Sequence, residues 1–81
     1  MPNGIYKAPY EYEKNRVARI AKVKTILLSK NPIEEKDKQL AQLLKRITMR
    51  RLREYVKVLL VSEEITKQDF EGSKLIKLRG V

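Results

Sequence analysis

The sequence predicts a mainly α-helical fold, three helices followed by a short C-terminal β-hairpin. Three observations lead there. Apolar residues recur at helical spacing in three segments, over about residues 10–29, 34–45 and 48–61. Lys30-Asn31-Pro32 separates the first two, because a residue before proline is pushed out of helical geometry. Beyond residue 61 the chain turns polar around Gly72 and then extended in character at Leu75, Ile76 and Leu78. With 81 residues, the chain is read as one domain over residues 10–81 behind a flexible N-terminal arm, residues 1–9.

The arm carries Pro2, Gly4 and Pro9, which favour irregular backbone. Tyr6, Tyr10 and Tyr12 with Lys7 can stack on bases or anchor a dimer; two of the tyrosines can equally pack on the helix that follows. In the first helix Val17, Ile20, Ala21, Lys24, Leu27 and Leu28 are expected on one face, with the Lys24 stem covering apolar surface. Arg16, Arg19 and Lys22 recur at spacing three on another side. They are possible phosphate contacts, or an ordinary solvated face.

In the second helix Glu34 and Glu35 suit the positive end of the helix dipole, and Lys45 and Arg46 the negative end. Leu40, Ala41, Leu43, Leu44 and Ile47 supply its apolar side. Asp37 is an alternative cap for a shorter helix starting at residue 38. The third helix is the clearest element. Thr48 is placed to cap it. Leu52, Tyr55, Val56, Leu59 and Leu60 follow at the spacing of a buried stripe, while Arg50, Arg53, Glu54 and Lys57 occupy the other side and Arg51 its flank.

The hairpin is expected from strands near residues 64–67 and 74–79. A short helix over 63–70, capped by Ser62, competes with it. The last 20 residues carry four cations and four carboxylates, so the basic character lies upstream.

Composition narrows the function. The formal net charge is +9, from 19 Lys and Arg against 10 Asp and Glu. Such a surplus on a short chain creates a positive field that attracts polyanions. Cysteine and histidine are both absent, which removes disulfides, Cys- or His-based zinc sites and the commonest general base. No Gly-rich phosphate loop and no nucleophile elbow is present. The carboxylates Asp37, Glu63, Glu64, Asp69 and Glu71 lie in polar rather than apolar stretches, which gives no sign of a general acid and base pair. A non-enzymatic protein without cofactor, metal or small-molecule substrate is therefore expected. No apolar stretch approaches membrane-spanning length, and Met1-Pro2-Asn3-Gly4 leads into no signal-peptide core. The expected location is the cytoplasm, or its equivalent in a virus-infected cell. The richness in Ile, Leu, Val, Lys, Arg and Glu matches thermophile usage. So small a core leaves a thin stability margin, so a homodimer joined through the first helix and the arm is expected.

Three helices followed by a hairpin resemble the winged helix-turn-helix family of DNA-binding proteins, over roughly residues 16–79. Leu40-Ala41-Gln42-Leu43-Leu44 resembles the family's second helix, with Ala41 as the small residue against the third. Thr48-Met49-Arg50-Arg51-Leu52-Arg53-Glu54-Tyr55-Val56 resembles the start of its recognition helix. The turn Lys45-Arg46-Ile47 lacks the glycine often found there. The resemblance implies that Thr48, Met49, Arg50, Arg51 and Arg53 face the major groove. It makes Asp69 to Ser73 a wing tip and places Lys67, Lys74 and Lys77 near the DNA backbone. Adding the charge pattern, the expected DNA-binding set is Lys45, Arg46, Thr48, Met49, Arg50, Arg51, Arg53, Lys57 and Lys74. The function expected is double-stranded DNA binding by a transcriptional regulator or a plasmid- or virus-type accessory factor. RNA binding through the tyrosines, and an adaptor role toward an acidic protein, are the alternatives.

Overall fold

A computed structural model describes the backbone over residues 9–77 and the side chains over residues 15–77. The chain forms helices α1 (Pro9–Leu28), α2 (Ile33–Leu43) and α3 (Met49–Val61), then a 3-10 turn, Lys67–Phe70. No helix among the described residues is long and apolar enough to cross a membrane. Pro9, expected in the arm, stands at the first helical position, where its missing N–H costs nothing. The calls on residues 1–8, and those on the side chains of Tyr10 and Tyr12, lie outside the described residues.

Each later helix starts on a local signal. Pro32 lends its carbonyl to the amides of Glu35 and Lys36, and Glu34 and Glu35 face the positive helix end. Asp37 therefore lies inside α2 and caps nothing there. The Thr48 hydroxyl accepts the Arg51 N–H at 3.1 Å and starts α3.

α3 ends in a Schellman turn. The Glu63 N–H donates to the Leu60 carbonyl and the Glu64 N–H to the Leu59 carbonyl. The position that favours glycine is held by Glu63, at φ 59°. Its Cβ is crowded there, at a cost of about 1 kcal/mol.

The core is a single cluster. Val23, Ile26 and Leu27 of α1 meet Leu40 and Leu43 of α2, Ile47, and Leu52, Tyr55, Val56 and Leu59 of α3; Ile65, Phe70 and Ile76 close it from the C-terminal side. Full burial of one such side chain stabilises by roughly 1.5–3 kcal/mol. Of the stripe expected on α3, Leu52, Tyr55, Val56 and Leu59 are buried and Leu60 is partly buried. That of α1 is rotated from expectation: Val17 is 60% exposed, Leu28 is 47% exposed and Ala21 is exposed. Ala41 is exposed as well, so it is not the small residue packed against α3.

The expected C-terminal hairpin is absent. No β-strand occurs among the described residues, which corrects both the winged helix-turn-helix resemblance and the wing. The hydrogen bonds show why. The amide of Lys74 donates to Asp37 Oδ2 at 2.9 Å, and those of Leu75 and Ile76 donate to Ser73 Oγ at 3.1 and 3.0 Å. Side chains thus take the donors a strand would use for pairing. Ser73 Oγ in turn donates to Asp37 Oδ1 at 2.6 Å. The Asp69 carboxylate, expected at a wing tip, instead accepts the Thr66 N–H at 2.7 Å and starts the 3-10 turn. The helix expected as an alternative over 63–70 shrinks to that turn, with Thr66 rather than Ser62 before it. Gly72, at φ +85°, makes the bend that brings Ser73 to Asp37.

Replacing the strained residue gives a direct test. Glu63→Gly is expected to raise stability by about 0.5 kcal/mol, the crowding relieved being partly offset by the more flexible unfolded chain. Urea unfolding reads this as a higher midpoint at unchanged slope. An unchanged or lowered midpoint would show that the turn carries no strain.

Candidate functional site

Packing fixes the helix directions. Arg16 shares a cleft with Thr48, Arg50 and Arg51, whereas Lys24, two turns on, reaches Glu64 just past the end of α3. α1 and α3 therefore run parallel. Arg19 shares a groove with Leu43 and Arg46, whereas Ile26 lies across from Glu35, so α1 and α2 run antiparallel. The N-terminal half of α1, the C-terminal end of α2 and the first turns of α3 consequently meet at one end of the bundle.

That end gathers the charge surplus. Among the described side chains it carries Arg16, Arg19, Lys22, Lys45, Arg46, Arg50, Arg51 and Arg53 against one carboxylate, Glu54. The rest of the described chain carries Lys24, Lys30, Lys36, Lys38, Lys57, Lys67, Lys74 and Lys77 against seven carboxylates, and is nearly neutral. There the charges are matched. Lys24 Nζ lies 2.9 Å from Glu64 Oε1, and Ser62 Oγ donates to Glu64 Oε2 at 2.8 Å. Lys36 Nζ donates to the carbonyls of Leu27 and Asp69 at 2.7 and 3.1 Å.

Two hollows flank the basic end. The α1–α3 cleft, about 400 Å³, is lined by Arg16, Thr48, Arg50, Arg51, Glu54 and Tyr55. The α1–α2 groove, about 310 Å³, is lined by Ala18, Arg19, Lys22, Gln39, Gln42, Leu43, Arg46 and Ile47, with no carboxylate. Arg16, Arg19 and Lys22, grouped in the sequence as one set, are thus divided. Arg16 serves the cleft, and the other two serve the groove.

The expected DNA-binding set is also divided. Lys45, Arg46, Arg50, Arg51 and Arg53 are exposed at the basic end, with Thr48 among them as the cap. Met49 is half-buried and packs on the core. Lys57 is exposed two turns further along α3. Lys74 lies by Asp37, near the start of α2 and so away from the basic end. Gln39 and Gln42 were missed. They stand seven and four residues before Arg46 and line the groove with it and Lys22, but carry no charge to mark them. The polar end of Tyr55 was missed too, because the residue fitted the core stripe; a tyrosine among aliphatic core residues is itself the signal.

No family model, no curated protein and no solved structure matches the chain.

Hydrogen bonding to Lys24, then to Ser62, holds the Glu64 carboxyl below the ordinary glutamate range. Because this pKa is depressed in the folded protein, the pair supports the fold above the unfolded-state value. That support is lost as pH falls through the folded value. Lys24→Met is expected to move the Glu64 carboxyl titration, followed by carbon NMR, upward toward ordinary glutamate. A curve identical to the parent's would remove Lys24 as the cause.

Proposed function

We propose that this protein is a non-enzymatic double-stranded DNA-binding protein of the regulator or accessory-factor kind, contacting the duplex with the basic end of its helical bundle. The observation that carries this reading is the charge segregation among the described side chains: eight cations against Glu54 at one end, beside a nearly neutral remainder. A solvated basic surface without a ligand has no need to concentrate like charges, whose mutual repulsion works against folding. A polyanion reverses the sign of that term and releases counterions as it binds.

α3 gives the basic end a shape suited to duplex DNA. One side is fixed by Leu52, Tyr55, Val56 and Leu59, so Arg50 and Arg53 are presented from a rigid rod. A helix of this diameter fits the major groove, where arginine can fork onto guanine O6 and N7. Lys45 and Arg46, on the preceding turn, are then available to the phosphates. A homodimer presenting one α3 to each half-site extends the same reading, and the mass of the complex in solution tests it.

Arg50→Ala and Arg53→Ala are each expected to weaken duplex binding by about 1–3 kcal/mol where they read a base. Where they touch phosphate they are expected to lower the salt slope by about one. Fluorescence anisotropy at several salt concentrations, with melting curves to confirm folding, makes the measurement. Parent-like affinity and slope in both variants would overturn the α3 assignment. Stronger binding to single-stranded RNA of equal length would transfer the basic end to RNA.

A further inference from the structure

The α1–α3 cleft contains an arrangement that general attraction to a polyanion does not require. Tyr55 is 2% exposed, its ring packed in the core. Its hydroxyl has no hydrogen-bond partner among the described residues, yet no buried side-chain oxygen or nitrogen is left unpartnered there. The hydroxyl is therefore the part of the residue that opens into the cleft, which Tyr55 lines. A buried tyrosine ordinarily satisfies its hydroxyl. Here the donor points into a space bounded by Arg16 from α1 and Arg50 and Arg51 from α3.

The start of α3 adds to this. Thr48 Oγ1 takes the Arg51 amide, and the Thr48 carbonyl takes that of Leu52. The amides of Met49 and Arg50 come earlier than any intrahelical acceptor can serve, and they lie at the positive end of the helix dipole. Arg16 and Arg50, set against Glu54, leave a surplus of one positive charge. That surplus favours an anion such as a phosphodiester or a phosphomonoester.

We propose that this cleft is a seat for a single phosphoryl group, held by the Arg16 and Arg50 guanidiniums and the Tyr55 hydroxyl at the start of α3. The assignment deepens the DNA-binding reading and rests on it for its natural ligand, a nucleic-acid phosphate. That phosphate is either an internal phosphodiester or a terminal phosphomonoester. Arginine supplies charge and planar donor geometry, while the hydroxyl supplies a donor whose position is fixed by the core. A seat so built selects the register in which one phosphate enters it.

The test uses inorganic phosphate first. Titration at constant ionic strength, followed by amide and arginine side-chain NMR, is expected to give saturable shifts at Arg50 and Arg51. Tyr55→Phe keeps the ring in the core and removes only the hydroxyl. It is expected to weaken phosphate binding about tenfold, the ordinary effect of losing a hydrogen bond to a charged acceptor. Arg16→Gln is expected to weaken it at least as much. Melting curves confirm that both variants fold. A short duplex is then compared with and without a 5′-phosphate. If Tyr55→Phe lowers affinity for both forms equally, the seat takes an internal phosphodiester. If it removes only an increment contributed by the 5′-phosphate, the seat takes a chain terminus. Shifts that do not saturate, or that persist unchanged in both folded variants, would overturn the seat. Normal duplex binding by those variants would then leave the DNA-binding reading intact, whereas phosphate binding without any duplex binding would do the reverse.

Discussion

Burial of Leu52, Tyr55, Val56 and Leu59 sets the rotation of α3, and the charged surface follows from that rotation. The four residues lie on one side of a single helix and meet Val23, Ile26 and Leu27 of α1 in the core. With that side turned inward, Arg53 and Lys57 face solvent and Arg50 is left exposed at the edge of the cleft. The parallel alignment of α1 and α3 then brings Arg16 beside the start of α3, and the antiparallel α2 returns Arg46 to the same end. The basic end is thus a product of packing direction, assembled from three segments that are far apart in the chain.

α2 does the complementary work at the other end. Lys36 donates to the last turn of α1 and to the 3-10 turn, while Asp37 binds the Ser73 hydroxyl and the Lys74 amide. Adjacent residues of opposite charge therefore fasten the two segments that flank the core. Charged groups placed here satisfy backbone atoms and each other, whereas the basic end gathers mostly cations among its described side chains.

The legibility of the sequence follows the same division. Strong local signals were readable: the α3 stripe, the Thr48 cap and the break at Pro32 are each contained within a few residues. α1 was harder, because it offers apolar residues on more than one side and only its partners decide which are buried. Val17 fits the expected stripe yet lies outside it, while Val23 was not placed in it and is fully buried. The C-terminal segment was misread because its extended apolar residues look like a strand. What decides its conformation is Asp37, 36 residues earlier, whose carboxylate takes the Ser73 hydroxyl. The cations of the candidate site were mostly legible as residue types. Their division into a cleft and a groove, and the presence of Gln39 and Gln42 in the latter, depend on helix direction and had no local signal.

Stability and binding meet in one side chain. At physiological ionic strength the screening length is about 8 Å, so charges lining a common cleft still repel one another. The core must offset that repulsion from a thin margin, as expected for so small a domain. Tyr55 stands on both sides of this balance, its ring among the fully buried residues and its hydroxyl at the cleft. An anion entering there would neutralise the repulsion and complete the one hydrogen bond that the tyrosine lacks among the described residues. Ligand bound only to the folded chain stabilises it by mass action. In this molecule the gain would act directly on the helix pair that holds the fold together, because α1 and α3 each contribute an arginine to the cleft and apolar side chains to the core beneath it.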